Sequence, residues 1–222
     1  MPDLLRSRPV VAVLVGTLLL AACGGDAESD SSSAGATTPA EIVVDPDRQL
    51  AGVVRTPHPK VDLETLPSLT EPGTDVAFRA EPGGFQAVYF GFSSCPDVCP
   101  TTLADWTVAL RRLPPELAER VDTVMVTVDP DRDLELLPGY IESFVPDGIA
   151  LGTDDDTRLA AASAPFAVRY EVTTNDEGEI DVAHSGFLYL VNDQGELVVS
   201  WPFGVTSVEM ATDVAQLFDA SA

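Results

Sequence analysis

Cys95 and Cys99 carry the most chemistry in this 222-residue chain, within Phe90-Gly91-Phe92-Ser93-Ser94-Cys95-Pro96-Asp97-Val98-Cys99-Pro100. They follow the apolar run Ala87-Val88-Tyr89-Phe90 and precede a segment with helical periodicity. Thiols spaced i, i+4 at a strand-to-helix junction share one face of the first turn, where backbone N–H groups and the helix dipole favour thiolate. Such a pair can hold a soft metal, exchange with a partner's disulfide, or close into a disulfide of its own. His184 is one of two histidines and stands in Asp181-Val182-Ala183-His184-Ser185-Gly186, just before the apolar run Phe187–Val191. From there a loop can carry it across the end of a sheet.

If these residues meet, two thiolates and an imidazole form a set that suits Cu(I) or zinc. A structural zinc site takes four protein ligands. The supply here is short: no further cysteine remains in the folded region, and His58 lies far upstream in the extended Thr56-Pro57-His58-Pro59, where a structural role is the simpler reading. Copper is therefore the first reading. An open zinc site is the runner-up, with Asp97 or Asp129 nearby as a base. In the redox alternative Cys95 is the exposed attacking thiol and Cys99 the resolving one, although three residues separate them where the usual motif has two. A purely structural disulfide closes too short a loop to stabilise much.

Around these groups, Ser93, Ser94 and Asp97 are placed to hydrogen-bond near the sulfurs. In Asp129-Pro130-Asp131-Arg132-Asp133, Pro130 ends a strand, Asp133 is positioned to cap the next helix, and Arg132 can pair with a carboxylate. Asp129 either shares that structural work, tunes the thiols' protonation, or helps a partner dock.

The elements that must position these residues alternate. Strands are predicted over Asp75–Ala80, Gln86–Phe92, Val121–Val128 and Ile149–Gly152. Leu103, Trp106, Leu110 and Leu113 make one helical stripe that Pro114-Pro115 ends. Leu134–Phe144 reads as a helix kinked or broken at Pro138-Gly139, and Asp156–Phe166 as an Ala-rich helix disturbed by Pro165. Asn192-Asp193-Gln194-Gly195 between two apolar runs signals a hairpin, and Ser207–Phe218 an amphipathic helix capped by Ser207. This order is that of an α/β thioredoxin-like fold: a central mixed sheet flanked by helices, with a C-terminal β-hairpin and helix. In such sheets functional residues gather beyond the carboxyl ends of the parallel strands. Cys95 and Asp129 both fall there.

Arg6 and Arg8 precede the nearly continuous apolar run Val10–Leu20, followed by Leu20-Ala21-Ala22-Cys23-Gly24. The run has the length of a secretory h-region, and the small residues before Cys23 resemble a bacterial lipoprotein signal. The expected organisation is a signal peptide over 1–22, a lipidated Cys23 leading a flexible acidic and Ser-rich linker over 23–47, and a copper-binding domain over 48–222. The expected location is the outer face of the cell membrane, held there by the lipid anchor. Lipidation of Cys23 leaves Cys95 and Cys99 as a pair in a disulfide-permissive compartment. The formal charge of −24 argues against nucleic-acid binding and is compatible with a cationic partner.

Taken together, Tyr89-Phe90-Gly91-Phe92 leading into Cys95-Pro96-Asp97-Val98-Cys99-Pro100-Thr101, then Val126-Thr127-Val128-Asp129-Pro130-Asp131-Arg132-Asp133, His184-Ser185 before Phe187-Leu188-Tyr189-Leu190-Val191, and Trp201-Pro202-Phe203-Gly204 resemble the Sco/SenC family of copper chaperones. The resemblance spans nearly the whole globular region, in order. It implies a thioredoxin fold in which Cys95, Cys99 and His184 bind one copper ion. It also implies delivery of copper to the cytochrome c oxidase subunit that carries the CuA site, reduction of that subunit's thiols, or both. A monomer is expected. The chain departs from many relatives in having Ala183 where they carry an Asp, which leaves Asp181 as the nearest candidate for that carboxylate.

Overall fold

The computed structural model describes residues 48–221. The expected signal peptide, Cys23 and the expected linker up to residue 47 lie outside the described residues. In chain order the elements are β1 (Thr65–Pro67), β2 (Asp75–Ala77), β3 (Phe85–Gly91), α1 (Val98–Arg112), α2 (Pro115–Ala118), β4 (Val121–Thr127), α3 (Pro130–Asp133), α4 (Leu137–Glu142) and β5 (Ile149–Leu151). They continue with α5 (Asp156–Ser163), a 3-10 turn (Ala164–Phe166), β6 (Tyr170–Thr174), β7 (Ile180–His184), β8 (Phe187–Asn192), β9 (Leu197–Pro202) and α6 (Ser207–Ala220).

The central sheet has the order β5-β4-β3-β8-β9. β3 runs parallel to β4 and β4 to β5, whereas β8 lies antiparallel to both β3 and β9. All seven residues of β3 are buried, as expected of a central strand covered on both faces. Its odd-numbered side chains face α1 and α6: Phe85 meets Phe218 edge-on with ring centroids 4.8 Å apart. On the other face Phe90 packs against Phe166 and Tyr189. Trp106 of α1 lies 5.8 Å from Trp201 of β9, and its indole N–H donates to Thr123 Oγ1 at 2.9 Å. That bond satisfies a polar atom which would otherwise be costly in the core. The hairpin signal at 192–195 is borne out, with Gly195 at φ +71°, where a side chain would be strained.

Local corrections follow from proline and capping geometry. Pro138 lies in the first turn of α4, where its missing N–H costs nothing, so it helps start that helix rather than kinking a longer one. The disturbance expected at Pro165 is found: α5 ends at Ser163 and Pro165 lies in the 3-10 turn that follows. The cap of α6 is Thr206, not Ser207: Thr206 Oγ1 accepts the Glu209 amide and the Glu209 carboxylate answers at the Thr206 amide, a complete capping box. The predicted strand at 75–80 is limited to β2, which pairs with β1 in a separate two-stranded sheet.

The amino-terminal segment is tied down at one buried carboxylate. Asp213 of α6 is fully buried and accepts from the Arg48 guanidinium, the Ala51 and Gly52 amides and Trp201 Nε1.

Candidate metal centre

β3 delivers the chain to the site. Its last residue, Gly91, accepts the Val128 amide at 2.9 Å, which fixes the ends of β3 and β4 side by side. A Cβ at Gly91 would lie 2.7 Å from Tyr89 Cε1 and 3.0 Å from Cys99 Sγ, so glycine is needed for Cys99 to pack against the sheet. The loop from Phe92 then carries Cys95 to the start of α1.

This loop is held by Asp133. Its fully buried carboxylate accepts the Ser93 amide at 2.8 Å, the Ser93 hydroxyl at 2.5 Å and the Thr127 hydroxyl at 3.0 Å. Asp133 therefore does not cap a helix; it braces the cysteine loop from across the sheet end. Sequence reasoning missed this role. Its single signal is an acid just past the end of a strand, and Ser93 is forty positions away.

Helix α1 begins at Val98, three residues later than the first thiol. The exposed Asp97 occupies the cap position without a side-chain bond to the helix. Cys95 Sγ instead accepts the Cys99 amide at 3.3 Å. Cys95 is half-buried, Cys99 is fully buried, and both are free thiols. This agrees with the exposure expected for the pair. Burial pushes the Cys99 thiol up to about 12, with the Cys95 sulfur beside it adding to the shift and the Phe92 backbone opposing it.

His184 does not sit in a loop. It ends β7, the second strand of a hairpin with β6, and this hairpin is the one substantial element that sequence reasoning did not predict. Its signals are present in hindsight: alternating Tyr170, Val172 and Thr174, a turn at Asn175-Asp176-Glu177-Gly178, then Ile180 and Val182. The imidazole packs edge-on against Tyr89 and Phe92, with centroids at 6.1 and 5.7 Å. Nδ1 lies 3.2 Å from the Ser185 carbonyl oxygen, which can only accept, so Nδ1 carries the proton and Nε2 presents its lone pair. Burial pushes the imidazole below its ordinary value, opposed by the Ser185 and Phe90 backbone, and so favours the neutral ring that a metal requires. The carbonyl takes the orienting role often given to a carboxylate. Asp181, three positions earlier in the strand, projects from the opposite face.

Cys99 Sγ and His184 Nε2 are 3.4 Å apart, and the ligand atoms of Cys95, Cys99 and His184 all lie within 4.8 Å of one another. The three residues meet, as the reading of the sequence requires. Among the described residues no other Cys, His, Asp or Glu joins this group. Two sulfurs and one imidazole suit a soft ion, and the count is one short of structural zinc. His58 is elsewhere, lining a separate cleft with Arg120 and Phe218. Asp129 is buried and ion-paired with Arg132, whose guanidinium lies 6.0 Å over the Phe92 ring at the edge of the site. Its demonstrable work is to hold Arg132.

The fold and the site define a thioredoxin-like protein with a dithiol–imidazole centre. The pattern of the SCO1/SenC family matches residues 68–219, and the chain belongs to that family. It is 35% identical over 116 residues to a Stutzerimonas stutzeri protein whose name describes it as copper-binding, covering 52% of this chain and 56% of that one. The alignment thus spans little more than half of that relative's length. The structure of Bradyrhizobium japonicum ScoI with copper bound superposes with a TM-score of 0.59 and 26% identity, covering 69% of this chain and 96% of the other. BsSco, described as a member of the Sco family of cytochrome c oxidase assembly proteins, shares the fold with a TM-score of 0.55 and 19% identity, over 75% of this chain and 98% of its own.

Proposed function

We propose that the chain is a membrane-tethered, extracytoplasmic copper chaperone that takes up one copper ion at Cys95, Cys99 and His184 and passes it to the CuA-bearing subunit of cytochrome c oxidase. The observation that carries this reading is the convergence of three soft-metal donors, from the loop before α1, from α1 and from β7, within 4.8 Å. Copper-bound ScoI and the oxidase-assembly description of BsSco support the cargo and the destination. The Leu20-Ala21-Ala22-Cys23 sequence and the polar stretch after it support an exported, lipid-anchored protein at the outer face of the membrane.

Uptake displaces the proton that burial keeps on Cys99, while His184 binds through a nitrogen already free of one. Release proceeds by stepwise exchange. An incoming thiolate of the partner meets the ion on the side of the half-buried Cys95, and the neutral imidazole is the easiest ligand to give up. Anaerobically purified, reduced protein should hold about one copper per chain, the stoichiometry of a single three-donor site. The double variant Cys95→Ser/Cys99→Ser should hold none, and normal retention there would sink the reading.

A second reading rests on the two free thiols, one half-buried and one fully buried. Cys95 attacks a disulfide of the partner, and Cys99 then attacks the mixed disulfide. The partner leaves with two thiols, and the chain with one disulfide. Trapping of a mixed disulfide by Cys99→Ser, with activity indifferent to His184→Ala, would favour this reading over the first.

A further inference from the structure

The β6–β7 hairpin forms its own two-stranded sheet, and among the described residues no strand lies beside the outer edge of β7. Its register shows which backbone groups are unpaired. Asn175 N donates to Glu179 O at 3.0 Å and Ser185 N to Arg169 O at 2.9 Å. Hydrogen-bonded pairs alternate with non-bonded pairs in an antiparallel ladder, so Thr173↔Asp181 and Glu171↔Ala183 are the bonded pairs between those two. The N–H and C=O groups of Ile180, Val182 and His184 therefore point away from β6. Among the described residues they have no backbone partner.

That edge faces the metal centre. A cleft of about 560 Å³ has Phe92, Cys95, Asp97 and Arg132 on one wall and the unbroken run Ile180–His184 on the other. Alternate residues of a strand project to opposite faces, so a surface touched by five consecutive residues is the strand's edge. Exposed unpaired edges are templates for another strand. The charges select among strands. The hairpin exposes Glu171, Asp176, Glu177, Glu179 and Asp181 against the single cation Arg169, and Arg132 across the cleft is already neutralised by Asp129. Ile180 and Val172 are also exposed, at 40% and 44%.

From this we infer that β7 is a docking rail. An extended segment of the copper-exchanging partner, carrying a cysteine and flanked by Lys or Arg, adds antiparallel or parallel to β7 and so brings its own sulfur alongside Cys95. The inference rests on the copper-transfer reading for the partner's identity, but not for the pairing itself. About five added residues span roughly 17 Å, the length of β7. Main-chain pairing supplies the affinity, and the acidic hairpin selects the charge.

The test uses the full chain, reduced, and the synthetic peptide Lys-Val-Thr-Cys-Val-Thr-Lys with blocked ends, beside a version with Ser in place of Cys. Amide hydrogen exchange should slow about tenfold or more at Ile180, Val182 and His184 with either peptide and stay unchanged at Asp181 and Ala183, whose amides already pair with β6. Peptides N-methylated at alternate residues, and the variant Val182→Pro, should each weaken binding about tenfold, equivalent to roughly 1.4 kcal/mol. Proline is tolerated at a strand position whose N–H faces outward, and the N-methyl peptides give the same information with native protein. No slowing at those three amides, equal slowing at Asp181 and Ala183, or tight binding of the N-methylated peptide would overturn the inference. Copper content of the native chain is measured separately. Absent copper with the alternating protection would remove the chaperone reading and leave the rail, whereas normal copper without protection would do the reverse.

Discussion

Cys99 Sγ stands 3.4 Å from His184 Nε2, although 85 positions separate them in the chain. The two elements that carry them are fixed by unrelated interactions: α1 by Trp106 and the sheet, β7 by its ladder to β6. Loss of the imidazole should therefore weaken copper binding without disturbing the thiols. His184→Ala should lower affinity by more than about a hundredfold, since even outer-shell changes cost 10–100-fold. Competition against a Cu(I) chelator measures this, and an unchanged affinity would remove His184 from the site.

Asp133 should matter to stability more than its surface neighbours do. Asp133→Ala leaves the Ser93 amide and two hydroxyls without this acceptor in a largely buried site, which should cost roughly 2–4 kcal/mol. Asp133→Asn retains one carbonyl acceptor and should cost less. Urea unfolding of both variants checks the order, and equal losses would mean that shape rather than hydrogen bonding is what the residue provides.

Gly91→Ala places a methyl group 3.0 Å from the Cys99 sulfur and 2.7 Å from the Tyr89 ring. Overpacking of this kind costs about 1–3 kcal/mol. Because the strain is relieved by moving Cys99, copper affinity should fall together with the unfolding midpoint. A variant with native affinity would show that the helix can shift as a unit.

The raised Cys99 titration makes the metal-free, reduced protein sensitive to alkali. An unfolded thiol titrates near 9.0, whereas the folded one is pushed up to about 12. Between these values the folded state keeps a proton that the unfolded state has lost. The contribution is therefore complete below about pH 9 and declines as pH rises towards 12. Anaerobic denaturation across that window should show the decline, and Cys99→Ala should remove it. Copper affinity should move the opposite way, rising with pH, because loading releases this proton.

Much of this was legible beforehand. The Cys95/Cys99 spacing, the apolar run of β3, the Pro114-Pro115 stop after α1 and the Asn192–Gly195 turn are local signals, and local chemistry decides them. The family resemblance extended that reading to His184. Part of what stayed hidden depends on residues distant in the chain: Asp133 reads as a capping acid until Ser93 is seen to fold back onto it. The Thr206–Glu209 capping box, by contrast, is a local pattern that the reading of Ser207 passed over. The β6–β7 hairpin escaped because its residues are polar and mostly exposed, so the alternation on which strand prediction relies is weak.

The grip of Asp213 on residues 48–52 has a mechanical consequence. A tug on the polypeptide upstream of Arg48 is delivered first to α6 and, through the Trp201 indole, to β9. Neither element bears a sulfur or imidazole of the centre, so strain applied at residues 48–52 bypasses the dithiol–imidazole end of the domain.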